Sequence, residues 1–240
     1  MVATDVEILF RCLDLTALRG DETADDVRNL CARGAEHGVA ALVVFPEHVS
    51  VAKRALEGTY VRVATVGGGF PDASAPLDDR LADARRAIAA DPDELDVVFD
   101  RRLVLDDRLD RARDEVAMLR EIAGARPLKV ILETAELGSP ERVGAAALAA
   151  CAGGADFVKS STGKAGPATP EAVRAMVAAV RAFHERTGER VGIKVAGGVR
   201  TRAEAEEYAD LVRRELGDDW ITPGLFRIGA SGLLDDLVGS

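Results

Sequence analysis

The stretch ADFVKSSTGKAGPATPEAVRAMVAAVRAFHERTGERVGIKVAGG, residues Ala155–Gly198, reads as strand, loop, helix, strand. ADFVKS is a short apolar run with a lysine, Lys159, at its last position but one. Thr169-Pro170-Glu171 then has the form of a helix start, and apolar residues recur three and four apart as far as His184. RVGIKV is a second apolar run, followed at once by paired glycines. Runs that stay apolar instead of alternating suit strands covered on both faces, as in a parallel sheet.

The same alternation extends through the rest of the chain. Apolar runs read ILFRCLDL, VAALVVF, VRVATV, ELDVVF and LKVIL before this stretch, and LFRIGA after it. Segments of helical period separate them: Asp78–Ala90, Asp107–Ala123, Pro140–Ala152, Pro170–His184 and Thr201–Leu216. With about 30 residues per unit, eight strand candidates in 240 residues fit a closed (β/α)8 TIM barrel better than an open doubly wound sheet. No linker, low-complexity segment or composition break interrupts residues 1–240, so a single α/β domain is expected, and a hydrophobic fraction of 48% is ample for its core.

The formal charge of −10 argues against broad binding to nucleic acid or an anionic membrane, while leaving room for a local basic pocket. No apolar stretch approaches a membrane span, and MVATDVEILFRCLD lacks a signal-peptide core, so a cytoplasmic protein is expected. Cys12, Cys31 and Cys151 are odd in number and scattered, which speaks against a disulfide framework or a structural metal site. His37, His48 and His184 lie on helical or loop segments and are read as surface residues outside any triad.

The basic residues carry the sharper signal. Of 31, only Lys53, Lys129, Lys159, Lys164 and Lys194 are lysines; arginine fills the other positions. Arginine stays protonated in a protein, whereas a desolvated lysine can become a neutral amine nucleophile. Codon bias toward arginine is the alternative reading of the scarcity, but it leaves unexplained why Lys129, Lys159 and Lys194 fall in short apolar runs. Active sites of (β/α)8 barrels lie at the C-terminal ends of the strands. Strand ends here offer Asp14, Thr16, Asp96, Lys129, Glu133, Lys159 and Lys194. Two neighbouring lysines lower each other's pKa, and an amine brought down to about 7–8 can form a Schiff base at neutral pH. A structural ion pair is the alternative for each of these groups. Lys53 reads as an ordinary surface residue.

Loops after the seventh and eighth strands of such barrels often hold phosphate through backbone N–H groups. Here those loops are AGGVRT (Ala196–Thr201) and GASG (Gly229–Gly232), and STGK (Ser161–Lys164) adds a flexible loop with a charged end.

DLTAL, ELDVVF, LKVILET, GADFVKSSTGK, GIKVAGGVRT and RIGAS, in this order from Asp14 to about Leu234, resemble the deoxyribose-phosphate aldolase family. The resemblance implies a class I aldolase on a (β/α)8 barrel, free of metal and cofactor. It would reversibly cleave 2-deoxy-D-ribose 5-phosphate to D-glyceraldehyde 3-phosphate and acetaldehyde. Carried over by motif position, Lys159 is the Schiff-base nucleophile. Lys194 is the cation that lowers its pKa, and Asp96 is the acid/base partner working with Lys194 and water. Lys129, Asp14 and Thr16 line the same mouth as supporting residues. Gly163, Lys164, Gly197, Gly198, Gly229 and Ser231 fall where substrate phosphate is held. The resemblance also implies a homodimer whose other partners are small phosphorylated sugars and aldehydes. Two departures stand out: GASG where GASS is frequent, and GGGFPDAS after the third strand. The alternatives are a Schiff-base aldolase for another phosphorylated aldehyde, and a sugar-phosphate binder that has lost catalysis.

Overall fold

Ser139, Thr169 and Thr201 each stop an extended segment and start a helix. Their hydroxyls accept from the backbone N–H groups of Arg142 (3.3 Å), Ala172 (3.2 Å) and Glu204 (3.3 Å). Pro140 and Pro170 occupy the first helical turn, where no N–H is needed. Glu204 reaches back to the Thr201 N–H and completes a capping box.

The computed structural model describes residues 5–239. In chain order its elements are α1 (Val6–Arg11), β1 (Leu13–Ala17), α2 (Ala24–His37), β2 (Ala41–Val44), α3 (Val49–Ala55) and β3 (Arg62–Gly67). There follow α4 (Leu77–Ala89), β4 (Glu94–Val98), α5 (Arg101–Leu105), α6 (Leu109–Ala123), β5 (Leu128–Ile131) and α7 (Pro140–Ala152). The last third holds β6 (Phe157–Lys159), α8 (Pro170–Thr187), β7 (Gly192–Ala196), α9 (Arg202–Leu216), β8 (Phe226–Ala230) and α10 (Leu233–Gly239). All eight strands are parallel, each pairs with the next, and β8 returns to β1, closing the expected barrel.

The ILFRCLDL run is a correction. Its first half is the end of α1, begun by Asp5, whose side chain accepts from the Glu7 N–H; only Leu13 onward is strand. A second difference concerns the strand faces. Leu13, Leu15, Leu42, Val44, Leu95, Val97, Leu128, Val130, Val158, Ile193 and Ile228 join the helices in one large apolar shell. The inner face is split. On β2 and β3 it carries Ala41, Val43, Ala64 and Val66, packed with Leu18. On the other six strands it carries charged side chains, so these strands do alternate, with one apolar face and one ionic face.

Packing is tight where β6 meets β7. A Cβ at Gly192 would lie 2.3 Å from the Phe157 ring, far inside contact distance. Gly192→Ala is therefore expected to cost about 1–3 kcal/mol, because the ring has to leave its rotamer. Urea unfolding checks this; an unchanged midpoint would show that the ring can swing aside freely.

Candidate active site

Seven buried ionisable side chains meet inside the barrel: Asp14 from β1, Glu94 and Asp96 from β4, Lys129 from β5, Lys159 from β6, Lys194 from β7 and Arg227 from β8. The register lays Lys159 beside Lys194 and Lys129 beside Asp96. Asp96 lies at the centre. Its Oδ2 accepts from Lys159 Nζ and from Lys194 Nζ, both at 2.8 Å, and its Oδ1 accepts from Lys129 Nζ at 2.8 Å. Lys194 also donates to Asp14 Oδ2 at 2.5 Å. Lys129 sits 2.6 Å from Glu94 and 3.6 Å from Asp14. Below them the Arg227 guanidinium donates to Asp14 and, at 2.9 Å, to Glu94.

The partners are unevenly distributed. Lys129, Lys194 and Arg227 each face two or more carboxylates, whereas Lys159 has only Asp96 and shares that oxygen with Lys194. Burial pulls the Lys159 amine down to about 8; Asp96 opposes this, and Lys194 adds to the fall. Burial also pulls on Lys129, but Asp96, Glu94 and Asp14 outweigh it and raise that amine above its ordinary range. For Asp96 burial favours the neutral acid, yet Lys129, Lys159 and Lys194 hold it well below the usual carboxylate range. Asp14 is lowered in the same way, with Lys194 and Arg227 overcoming burial. The cluster thus contains firmly ionised groups and one amine close to its neutral form.

Lys159 is also the cluster's outlet. Together with Thr16 it faces a cavity of about 460 Å³ at the C-terminal mouth. Gly163, Lys164, Gly197, Gly198, Gly229 and Ser231 line the same cavity. Gly197 and Gly198 have φ of +103° and +86°, a region that favours glycine, and a Cβ on Gly197 would meet Gly166 O at 2.9 Å. Gly229 is needed for space instead: a Cβ there would lie 3.1 Å from Cε of Lys194. Lys164 Nζ donates to Leu18 O at 2.9 Å and ties its loop to the end of β1.

Glu133, just beyond β5, organises that loop. It adopts φ +53° and accepts from Ser161 Oγ (2.6 Å), Thr162 N (3.1 Å) and Thr162 Oγ1 (2.5 Å). Ser160 bridges β6 and β7 above the lysines: its Oγ donates to Ala196 O at 2.8 Å and accepts from Ala196 N at 2.9 Å.

The chain matches the family described as DeoC/LacD family aldolase over residues 8–235, nearly its whole length. It belongs to that family. Deoxyribose-phosphate aldolase of Mus musculus is 41% identical, the match covering 94% of this chain and 77% of that protein. The barrel superposes on a crystal structure from Toxoplasma gondii ME49 with a TM-score of 0.87 at 28% identity, covering 98% of this chain and 95% of that one. It also superposes on the deoxyribose phosphate aldolase of Aeropyrum pernix, described as a tetramer, with a TM-score of 0.76 at 26% identity over 98% and 92% of the two chains.

In this aldolase-family barrel, Asp14, Asp96, Lys129, Lys159 and Lys194 fall in one cluster, and the six phosphate candidates line one cavity with Thr16. Two cluster members escaped sequence reading. Glu94 opens the ELDVVF run and Arg227 is one arginine among many; only the inward alternation of β4 and β8 singles them out. Arg19 and Arg200, which line the cavity rim, were missed because loop placement decides their role. The three histidines are half-buried at the surface, outside the cluster; His184 packs edge-on against Trp220 and its Nδ1 lies 2.9 Å from Glu189 O.

Removing the Glu133 acceptor should loosen STGK without unfolding the barrel. For Glu133→Ala, amide exchange at Thr162, Gly163 and Lys164 is expected to rise by about tenfold or more, the loss of a buried hydrogen-bonded anchor. Exchange rates equal to those of the unaltered protein would show that the loop holds itself.

Proposed function

We propose that the protein reversibly cleaves 2-deoxy-D-ribose 5-phosphate to D-glyceraldehyde 3-phosphate and acetaldehyde through a Schiff base on Lys159. One observation carries this reading: the only weakly paired lysine of the buried cluster is also the one that faces the cavity. Family membership and the name of the mouse relative support the substrate.

The neutral Lys159 amine attacks the C1 aldehyde of the open-chain sugar, and loss of water leaves a protonated imine. Removal of the C3 hydroxyl proton breaks the C2–C3 bond. The electron pair moves into the imine as an enamine, and glyceraldehyde 3-phosphate departs. Protonation at C2 and hydrolysis by water release acetaldehyde and return the free amine. Lys194 contributes in two ways: its charge disfavours protonation of Lys159, and its ammonium lies one carboxylate oxygen away. Asp96, ionised between the two, aligns them and passes protons with Lys194 and water. Lys129, Asp14 and Thr16 support this geometry. Gly163, Lys164, Gly197, Gly198, Gly229 and Ser231 hold the phosphate and thereby fix C1 over Lys159. Gly232 on the cavity wall offers its backbone where a serine would add a hydroxyl.

The same reading takes residues 1–240 as one catalytic domain, and the protein as a cytoplasmic homodimer without metal or cofactor. The cysteines are free and buried, and among the described residues no helix is long and apolar enough to cross a membrane. Sedimentation equilibrium measures the assembly directly.

Borohydride reduction in the presence of 2-deoxyribose 5-phosphate should leave an adduct on Lys159, located by peptide mass mapping. An adduct with other aldehydes alone would redirect the substrate, and no adduct at all would remove the imine. Lys159→Ala should lower kcat by about 10⁴-fold or more, and Asp96→Asn by about 10²–10⁴-fold. The reactive form is the neutral amine, so kcat/KM should rise with pH through a midpoint set by the Lys159 value of about 8. A flat profile between pH 6 and 9 would contradict the assignment.

A further inference from the structure

The buried cluster has a composition that the reaction alone does not explain. Asp14, Glu94 and Asp96 supply three carboxylates; Lys129, Lys194 and Arg227 supply three cations, each on at least two of those carboxylates. These six groups balance without Lys159. Glu94 and Arg227 lie on the floor of the barrel, away from the cavity that Lys159 faces, and neither lines that cavity.

We infer that Arg227 and Glu94 are positioning residues that act at a distance, closing the charge balance of the interior so that Lys159 is the one lysine left over. This rests on the Schiff-base reading of Lys159 and adds two distant groups that set its protonation from opposite sides, Arg227 favouring the neutral amine and Glu94 the charged one. The link is continuous: Arg227 holds Asp14, Asp14 holds Lys194, and Lys194 shares Asp96 Oδ2 with Lys159. Glu94 joins through Lys129 and Asp96 Oδ1.

The surroundings of Lys159 leave few other charges to set its state. Asp96 on β4, Lys129 on β5 and Lys194 on β7 face it directly or across one carboxylate. Asp14 on β1, Glu94 on β4 and Arg227 on β8 stand behind them. β2 and β3 present Ala41, Val43, Ala64 and Val66. Glu133 has committed both oxygens to Ser161 and Thr162. Arg62 reaches Glu94 from below at 3.4 Å but is half in solvent, as are Arg19, Lys164 and Arg200 at the mouth to varying degrees, and water screens them. An interior charge is screened far less.

Opposite signs follow for the two residues. Loss of the Arg227 charge removes a cation and stabilises protonated Lys159, while loss of the Glu94 charge removes an anion and does the reverse. The test is competitive acetylation with acetic anhydride over pH 6 to 11, with the Lys159 peptide quantified by mass spectrometry. It reads the amine's titration whether or not the protein turns over 2-deoxyribose 5-phosphate. Arg227→Met should move the Lys159 midpoint up by about one pH unit, and Glu94→Gln should move it down by about as much. The double variant should return to within about 0.3 unit of the unaltered protein, and Arg227→Lys, which keeps the charge, should stay there too. Circular dichroism confirms that each variant is folded. Should Arg227→Met unfold, Glu94→Gln and Arg227→Lys still carry the opposite-sign and charge-rescue arms. Midpoints that stay put in folded single variants, or move together in one direction, overturn the inference. Midpoints that move as stated in a protein with no cleavage activity leave it standing and remove the proposed substrate instead.

Discussion

The carboxylate of Asp96 is shared by three ammonium groups in the fully buried centre of the barrel, and the arrangement around it follows from that sharing. An isolated ion taken out of water costs several kcal/mol even after the protein relaxes, so no member of the cluster could stand there alone. Asp96 makes it possible for lysines from β5, β6 and β7 to occupy one interior, because a single group with two oxygens answers all three. The arrangement cannot be extended indefinitely. Each further ammonium on the same carboxylate is less well compensated, and the last of them, Lys159, is the one with a lowered pKa. Burial lowers that amine, and the shortage of counter-charge leaves the fall uncorrected.

That shortage has a location because the strands alternate. Side chains on a parallel strand point in turn to the helices and to the barrel axis, so LKVIL can serve the apolar shell with Leu128 and Val130 while sending Lys129 inward. The interior is therefore two materials side by side: alkyl groups along β2 and β3, ions along the remaining six strands. Helix starts at Thr169 and Thr201 matter for the same site, since they fix where the connections beyond β6 and β7 turn back and so place their glycines over Lys159.

Much of this was legible in the sequence, and what was hidden has a common cause. Lys159, Lys194 and Asp96 were readable because each is a charged residue set in or at the end of an apolar run, and the strand-end rule converts that into a place in space. The loop AGGVRT was readable because it follows the seventh strand, where such barrels often hold phosphate, and STGK because it is a flexible loop that ends on a charge. Arg227 and Glu94 carry only the inward alternation of β8 and β4 as a mark, and the partner that defines each lies more than a hundred positions away. The cause of the lowered lysine pKa was also incomplete. Sequence reasoning gave the neighbouring Lys194 the leading part, whereas burial is the larger influence and depends on closure of the whole barrel. The start of β1 was misplaced for a smaller reason: ILFRCLDL is apolar throughout, and only the Asp5 cap, outside the run, shows that its first half coils.

The Ser160 bridge has a mechanical consequence. By donating to Ala196 O and accepting from Ala196 N, it clamps β6 to β7 just past the two lysines, where the regular ladder would otherwise fray. Lys159 and Lys194 therefore ride on one stiff plate, and thermal breathing of the barrel moves them as a pair. The loop beyond β6 is anchored separately, by Glu133 on Ser161 and Thr162. The spacing of the two lysines and the position of the cavity loop are thus held by different sets of bonds.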